Sequence, residues 1–365
     1  MLSRIYVDNY GPLVNFELSL GREQLLIGRN GAGKSTVFDA VDAVARFTRG
    51  EATVELLFPW ERKTRWDTRP EQTFELDFRG AAGEIWRYRL VIRHDAEGQK
   101  RRVQEERLTS GAQTLFNARE GKAQLYRDNA SLGPEVLTDW SRSSLPTLHE
   151  RADNTKVTWL KRRLGRVRVA SPDPRQIIPL SEREERAPTR SLSNLASWYR
   201  HLSQEYPDQV ETVRDALREV LPGFHNLRLA TEGSSRRLMT VWQVPGAGAP
   251  PLEFGVDELS DGQRVLLGLA MLAAEPGDDD TTLFLDEPDN FVALGEVQPL
   301  LMALRARPRL QLVVISHHPE LINLQAAEHG LVLERETLGP SRVRPFHAPE
   351  SSPLTPAEIV ARGEE

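Results

Sequence analysis

Residues 28–35 have the spacing of a loop that binds phosphate groups. They read Gly-Arg-Asn-Gly-Ala-Gly-Lys-Ser and fit the pattern G-x-x-x-x-G-K-[ST]. Glycines allow the backbone to curl until its N–H groups face a phosphate, and the positive end of the following helix adds to the attraction. Lys34 is expected to reach the β- and γ-phosphate oxygens, and the Ser35 hydroxyl to bind Mg²⁺. The predicted ATP-contacting residues are Gly28, Asn30, Gly31, Gly33, Lys34, Ser35 and Thr36.

Two adjacent carboxylates follow an apolar run later in the chain. The order is Leu-Phe-Leu-Asp286-Glu287-Pro, the pattern of a buried strand that ends in acidic residues. In α/β sheets, ligands bind beyond the carboxyl ends of the strands. Asp286 is therefore predicted to hold Mg²⁺, and Glu287 to polarise the attacking water as a general base.

A third segment, Glu-Leu-Ser260-Asp-Gly-Gln263, precedes an apolar helix. Ser260 is a natural N-cap, and a helix N-terminus with open N–H groups binds phosphate. Because residues 28–35 would already hold the γ-phosphate from one side, we expect this second donor set to come from another copy of the chain. The sequence thus predicts ATP between two subunits, with a second contact set made of Ser260, Asp261, Gly262 and Gln263.

Hydrophobic periodicity predicts the elements that carry these residues. A strand over Gln24–Ile27 precedes the phosphate loop, and an amphipathic helix that ends near Gly50 follows it. Short apolar runs over Thr281–Leu285 and Leu310–Ile315 indicate strands buried on both faces. Further elements are predicted at Phe74–Phe78 and Trp86–Ile92 (a hairpin), Ser193–Val220 (a helix broken at Pro207) and Pro356–Arg362 (a short helix).

Composition excludes several classes of function. The chain of 365 residues has no cysteine, which rules out disulfides, thiolate catalysis and Cys-bound metal clusters. Its 47 basic and 53 acidic residues give a net charge of −6, which argues against coating nucleic acid by bulk charge. The longest apolar run, Val265–Ala274, is about half of the ~20 residues that cross a bilayer. We expect a cytoplasmic protein with no membrane partner and no signal peptide.

In their order along the chain, these segments resemble the motifs of ABC-type ATPases. Residues 259–263, Leu-Ser-Asp-Gly-Gln, are close to the signature L-S-G-G-Q of that family. Residues 313–318, Val-Val-Ile-Ser-His-His, resemble its switch-histidine segment, which implies that His317 contacts the γ-phosphate, with His318 as the competing candidate. The loop after the acidic pair, 289–295, lacks the family's Leu-Asp ending. Gln124 and Gln176 are the candidates for its glutamine loop.

The spacing of the motifs indicates which branch of the ABC-type ATPases the chain resembles. Ser260 lies 226 positions after Lys34, a longer gap than transporter cassettes have, and no coiled coil of the SMC type fills it. Asn9-Tyr10 resembles the start of RecF-like and OLD-like ATPases, and residues 286–290 and 315–322 resemble stand-alone, SMC-related bacterial ATPases of the OLD type. About 30 residues follow the last predicted strand, too few for the TOPRIM nuclease domain of OLD nucleases. Asp278–Asp280 fits a solvated loop.

The resemblance implies an α/β fold, a P-loop NTPase of the ABC-ATPase type. Its mixed sheet would be flanked by helices, with a β-rich subdomain and a helical insertion that carries the signature. The expected segments are 1–117 (phosphate loop and β-subdomain), 118–254 (mainly helical or mixed insertion), 255–340 (signature, acidic pair and switch histidine) and 341–365 (tail with a short helix).

Basic residues crowd together after Trp159. A basic stripe beside an aromatic ring can hold a DNA backbone, although such a run is equally typical of a solvated helix face or of pairing with acids such as those at 182–185. A smaller cluster occupies residues 100–102. The candidate contacts to duplex DNA are Lys161, Arg162, Arg163, Arg166 and Arg168.

These features favour an ATP-hydrolysing molecular switch. Two copies would close around ATP as a homodimer, and hydrolysis would reopen them. The resemblance implies that the output controls a separate effector protein, such as a TOPRIM-like nuclease in an anti-phage defence module. The alternatives are a RecF-like repair clamp that grips duplex DNA and a scaffold that binds ATP with little turnover.

Overall fold

The computed structural model describes the whole chain apart from residues 96–97, 99, 245, 247–249, 278–279, 349–352 and 363–365. The chain forms two compact units. Unit 1 consists of Met1–Arg168, Asp280–Phe284 and Ile322–Glu365, and unit 2 of Val169–Asp279 and Leu285–Leu321. This division does not follow the four segments predicted from the sequence, which stay a prediction.

Strands and helices alternate irregularly along the described residues. The strands are β1 Leu2–Asp8, β2 Phe16–Ser19, β3 Glu23–Ile27, β4 Glu71–Arg79, β5 Ile85–His94, β6 Arg101–Ser110, β7 Gln113–Arg119, β8 Lys122–Tyr126, β9 Leu132–Leu137, β10 Val167–Ala170, β11 Leu180–Ser181, β12 Phe224–Glu232, β13 Ser235–Trp242, β14 Leu252–Gly255, β15 Thr281–Asp286, β16 Leu310–Ile315, β17 Gly330–Arg335 and β18 Ser341–Pro345. The helices are α1 Lys34–Thr48, α2 Val54–Leu57, α3 Thr155–Gly165, α4 Leu195–Glu205, α5 Pro207–Val220, α6 Asp261–Ala273, α7 Leu294–Ala306, α8 Pro319–His329 and α9 Pro356–Arg362.

The strands of the described residues form three sheets. The first has the order β2-β1-β4-β5-β6-β7-β8-β9, and the second β10-β15-β16-β3-β17-β18. The third has the order β11-β13-β12, with β14 paired to β13. The second sheet is mixed, because β17 runs parallel to β3 and antiparallel to β18. Together with the helices, this arrangement fits a P-loop NTPase of the α/β class.

The eight-stranded sheet of unit 1 is antiparallel, and its strands alternate between core and surface. On β5, Trp86, Tyr88 and Leu90 are buried. Between them, Arg87 and Arg89 form ion pairs with carboxylates of β4, Asp77 at 2.7 Å and Glu75 at 2.5 Å. This alternation at every second residue is what a sheet with one covered face requires. The predicted hairpin is confirmed, with Phe78 opposite Trp86 and Phe74 opposite Leu90.

The phosphate loop of unit 1 lies between β3 and α1, as the sequence predicts. Helix α1 is apolar over most of its surface and buries Val37, Phe38, Val41 and Phe47. The Phe38 ring meets that of Phe284 edge to face, with the centroids 5.1 Å apart. Such burial fixes the helix, and with it the position of the loop at its N-terminus.

In unit 2, helices α4, α5, α6 and α7 accompany the small sheet of β11 to β14. The predicted break at Pro207 is confirmed, since α4 ends at Glu205 and α5 begins with that proline. Helix α6 is apolar and buries residues 265–272. Every residue of β16 is buried, and the same holds for β15, which confirms the expectation of strands covered on both faces. The charged segment after Ser181 is irregular through Arg190.

Residues 118–254 contain both strands and helices, from β8 to β14 and from α3 to α5. The tail forms the predicted helix, α9. Among the described residues, no helix is long and apolar enough to cross a bilayer.

Candidate nucleotide-binding site

The phosphate loop has the backbone conformation that its glycines permit. Gly28 and Gly33 adopt φ values of 137° and 106°, which strain any residue with a side chain. A Cβ atom at Gly28 would collide with the carbonyl oxygen of Leu333, and one at Gly33 would lie 2.6 Å from the Ser341 hydroxyl. Both positions therefore require glycine for conformation and for space.

Lys34 is held against its own loop. Its side chain is buried, and Nζ donates hydrogen bonds to the carbonyl oxygens of Gly28 at 2.8 Å and Arg29 at 3.2 Å. These bonds fix a positive charge at the loop, next to the N-terminus of α1. Ser35 and Asn30, in contrast, are exposed, so that their polar groups are accessible to a ligand.

Two distant segments support the phosphate loop from outside. The Ser341 hydroxyl at the start of β18 donates to the carbonyl of Ala32 at 2.6 Å, and the Ser341 amide donates to the carbonyl of Pro12 at 2.8 Å. The side chain of Pro12 also lies close to Gly33. Sequence analysis missed Ser341 and Pro12, because the bonds that join Ser341 to Ala32 and to Pro12 span more than 300 positions and follow no local pattern.

Asn9, noted in the sequence only through its resemblance, organises the turn that carries Pro12. It has a φ of 63°, and its side-chain amide donates to the carbonyls of Arg69 and Glu71 at 2.9 and 2.8 Å. Its side-chain oxygen accepts from the amide of Thr64. Asn9 is thus a structural residue that ties β1 to β4 beside the phosphate loop.

The acidic pair lies in unit 2 at the end of β15. Asp286 is the last residue of the strand and is nearly buried. The Arg190 guanidinium approaches its carboxylate to 4.0 Å. Arg190 was not predicted as a site residue, because it and Asp286 lie far apart in the sequence and no local pattern links them.

Glu287 has a strained and well-anchored backbone. Its φ is 48°, in the left-handed region. Its amide donates to the carbonyl of Ile315 at 2.9 Å, and its carboxylate accepts from the Asn290 side chain at 2.6 Å. Strain of this kind is found where a side chain is held in a defined direction. The second carboxylate oxygen lies 3.5 Å from Nε2 of His317.

The two adjacent histidines occupy different environments. His317 is exposed and faces Glu287, whereas Nδ1 of His318 accepts from the amide of Glu320 at 3.3 Å. The amide of His318 donates to the Ser316 hydroxyl, which itself donates to Asp289 at 2.7 Å. His317 therefore lies where it can act on a reacting group, and His318 stabilises the start of α8.

The signature segment forms a capping box at the N-terminus of α6. The Ser260 hydroxyl accepts from the amide of Gln263 at 3.2 Å, and the Gln263 side chain accepts from the amide of Ser260 at 3.0 Å. The amides of Asp261 and Gly262 take no part in this box. Arg264 fixes the segment from behind by donating to the carbonyls of Val256, Asp257 and Pro174.

The loop after the acidic pair packs on the signature within unit 2. The carbonyl of Phe291 approaches Gly262 so closely that a Cβ there would lie 2.8 Å from it. Phe291 has a φ of 72°, and the guanidinium of Arg175 lies 5.8 Å from its ring. A cavity of about 500 Å³ opens beside these residues, lined by Leu221, Trp242, Ser260, Gly262, Phe291 and Glu296 among others.

The basic stripe is largely engaged in intramolecular contacts. Lys161 donates to the carbonyls of Pro146 and Leu148, and burial lowers its pKa. Arg163 pairs with Asp280 at 2.6 Å and stacks on Trp159, and the exposed Arg162 pairs with Glu150 at 2.6 Å. Arg166 and Arg168 are half-buried. Contact of this stripe with DNA stays a prediction.

The two candidates for the glutamine loop differ in the exposure of their side chains. Gln124 bridges β8 and β9 through its side-chain amide, whereas Gln176 lies exposed in a turn after β10 and donates to Asp173 at 2.7 Å. Of the acidic run at 278–280, Asp278 and Asp279 lie outside the described residues, and Asp280 pairs with Arg163.

The proposed Mg²⁺ ligands, Ser35 and Asp286, supply hard oxygen donors of the kind that Mg²⁺ prefers. Among the described residues, no group of three or more His, Asp or Glu side chains could hold a metal by itself.

Comparison with known proteins gives one family. The model of the family described as "AAA domain, putative AbiEii toxin, Type IV TA system" matches residues 25–323. No curated protein matches the chain. The matched range includes the phosphate loop, the signature, the acidic pair and both histidines.

Proposed function

Because the chain belongs to this AAA-domain family and is a P-loop, ATP-binding ATPase, we propose that it works as a switch that dimerises around ATP. Members of the family generally use ATP and Mg²⁺. In the proposed site, the phosphate loop and Lys34 bind the triphosphate, and Ser35 and Asp286 bind Mg²⁺. Bound Mg²⁺ would neutralise charge on the β- and γ-phosphates.

The proposed chemistry uses the contact between Glu287 and His317. Glu287 orients the attacking water and accepts its proton, since it is fixed at its backbone by Ile315 and at its carboxylate by Asn290. His317, 3.5 Å from that carboxylate, contacts the γ-phosphate and senses its loss. Arg190, near Asp286, adds a positive charge beside the proposed Mg²⁺ ligand.

The observation that best supports a shared site is the N-terminus of α6. Ser260 is exposed. The capping box uses the amides of Ser260 and Gln263, and it does not use those of Asp261 and Gly262. A helix of thirteen residues adds its dipole to these donors. We expect this end of α6 to contact the γ-phosphate held by the phosphate loop of a second copy.

Mixing of two inactive variants tests the shared site. Lys34→Ala removes the phosphate-binding charge, and Ser260→Arg blocks the trans contact through bulk and repulsion in the partner. A mixed dimer contains one site built from the intact phosphate loop of one variant and the intact signature of the other. Partial ATPase activity should therefore return on mixing. If the mixture remains as inactive as each variant alone, while wild-type chains exchange subunits normally, a shared site is excluded.

We further propose that the ATP-bound dimer controls a separate effector, such as a nuclease in a defence module. The family description refers to a toxin system, which supports control of a separate effector. An ATP-dependent pull-down with Glu287→Gln as bait should retain a stoichiometric protein partner. Retention of duplex DNA without a protein partner would instead favour the clamp, and equal turnover of wild type and Glu287→Gln would favour the scaffold.

A further inference from the structure

A cavity of about 500 Å³ lies beside the phosphate loop in unit 1. It is lined by residues 29–32 of that loop and by residues 333–337 at the end of β17. Strand β17 pairs in parallel with β3, with Val332 opposite Ile27, so the carboxyl ends of both strands lie at the same edge of the sheet. Ligands of α/β sheets bind at this edge. The cavity is therefore a candidate for the part of a nucleotide that the phosphate loop does not hold.

We propose that this cavity binds the base of the nucleotide by stacking it on the guanidinium plane of Arg335, and that Trp66 holds this plane in position. The inference rests on the proposed ATP site and adds a contact to the base, since the roles assigned to the phosphate loop, the signature and the acidic pair concern phosphates, Mg²⁺ and water. Guanidinium planes and aromatic rings both stack on bases in nucleic-acid sites. The base would thus be recognised by its flat surface and not by its edge.

The guanidinium of Arg335 is fixed in one orientation. Arg335 is half-buried and lines the cavity. Its Nε donates to the carbonyl of Gly339 at 2.7 Å, and its Nη2 donates to the carbonyl of Leu338 at 3.2 Å. Its Cζ also lies 5.6 Å from the centre of the Trp66 ring, a cation–π contact. Two hydrogen bonds and one ring contact thus hold the plane, and a plane held in advance loses little freedom when a base stacks on it.

Trp66 belongs to a turn that is anchored next to α1. The amide of Asp67 donates to the carbonyl of Thr64 at 3.2 Å, and the Thr64 hydroxyl donates to the carbonyl of Gly11 at 2.7 Å. Gly11 lies against the first turn of α1, because a Cβ atom there would be 3.1 Å from the Thr36 side chain. The Trp66 side chain is nevertheless 48% exposed. The turn therefore keeps an exposed ring close to the point where the phosphate loop ends and α1 begins.

The polar side chains of the cavity do not select one particular base. Asn30, Glu336 and Thr337 are exposed to solvent, and the exposed Glu334 pairs with Arg344 at 2.6 Å. In the part of the chain that the structure describes, no buried side-chain polar atom without a hydrogen-bond partner belongs to the cavity lining. Hydrogen bonds to solvated groups contribute little net affinity, whereas stacking tolerates every base. We therefore expect adenine and guanine nucleotides to bind with similar affinity.

Calorimetric titration of the full-length protein with ADP, GDP and inorganic pyrophosphate tests the proposal, because pyrophosphate lacks the base and none of the three needs hydrolysis to be measured. Arg335→Lys keeps the charge and loses the plane. It should weaken binding of ADP and GDP about five- to tenfold and change that of pyrophosphate less than about twofold. Trp66→Ala should show the same selective loss, and Trp66→Phe should restore most of the affinity. Arg342→Ala, on β18 and outside the cavity lining, is the matched control and should change neither.

The outcomes separate this proposal from the ATP site on which it rests. ADP and GDP should bind to the wild-type protein within about threefold of each other, and a difference above about tenfold would show that the edge of the base is read. Arg335→Lys that weakens ADP and pyrophosphate equally, or neither of them, would also overturn the stacking contact while leaving the phosphate loop intact. Wild-type protein that binds neither ADP nor pyrophosphate would overturn the ATP site itself, and the base contact with it.

Discussion

Glu287 and Lys34 are the two residues on which the proposed chemistry depends most. Glu287 keeps a left-handed backbone, a conformation that costs about 1–3 kcal/mol for a non-glycine residue. Lys34 is buried against the loop that it serves. Glu287 is thus fixed in a strained backbone conformation by hydrogen bonds to its neighbours. Lys34 is fixed by hydrogen bonds to carbonyl groups of its own loop.

Substitution of these two residues should separate binding from hydrolysis. Lys34→Ala should abolish ATP binding, because it removes the charge that faces the phosphates. Glu287→Gln should retain binding and lose about 10²–10⁴-fold in turnover, the usual contribution of a general base. Equilibrium binding and steady-state hydrolysis of both variants check this. Wild-type turnover in Glu287→Gln would remove Glu287 from the mechanism.

The neighbouring histidines should respond differently to alanine. His317→Ala should lower turnover at least about tenfold with little change in melting temperature, because its ring is exposed and faces Glu287. His318→Ala should retain most activity and lose about 1 kcal/mol of stability, since its ring accepts the amide of Glu320. Turnover and urea unfolding of both variants check this prediction. If His318→Ala loses turnover and His317→Ala does not, the switch histidine is His318.

At the level of the elements, the position of the phosphate loop depends on β18. Ser341→Ala removes the hydroxyl bond to Ala32 and should raise KM for ATP, with a stability loss of about 1 kcal/mol. Ser203→Ala, which removes a comparable bond to the carbonyl of Arg200 in α4, is the matched control. An equal KM in both variants would show that β18 does not position the loop.

The core of the eight-stranded sheet contains a carboxyl group, Glu106, whose ionisation opposes folding. Burial raises its pKa to about 7, despite bonds from Ser143, Ser144 and Tyr88. Between about pH 4.5 and 7 the folded chain therefore binds more protons than the unfolded chain, and stability falls as pH rises. The shift corresponds to roughly 3 kcal/mol lost by pH 8.

Glu106→Gln removes this titrating group and should make the free energy of unfolding less dependent on pH. Urea unfolding of both proteins at pH 5 and pH 8 measures the difference. A wild-type protein that loses no more stability between these pH values than Glu106→Gln does would show that Glu106 is ionised in the folded state throughout.

Much of the local structure could be predicted because it depends on local pattern. The runs at 281–285 and 310–315, the hairpin of β4 and β5, the break at Pro207 and the tail helix all follow from periodicity or from proline. The contacts of Arg190 with Asp286 and of Ser341 with Ala32 could not be predicted, because they join positions far apart in sequence. The resemblance favours His317 over His318, and the two side chains also differ in their contacts.

At the level of the whole molecule, the proposed site residues are divided between the two units. The phosphate loop belongs to unit 1, and the signature, the acidic pair and both histidines belong to unit 2. A ligand that contacts two copies of the chain can favour their association, which is what the proposed switch requires. The central claim is therefore that ATP joins two copies.

The most direct test is the molar mass of Glu287→Gln by light scattering, with and without Mg²⁺-ATP. The proposal predicts a monomer without nucleotide and a dimer with ATP, because slow hydrolysis preserves the closed state. Addition of Ser260→Arg to this variant should leave ATP binding intact and prevent the dimer. A Glu287→Gln protein that binds ATP and remains monomeric, or a dimer that Ser260→Arg does not disturb, would contradict the shared site.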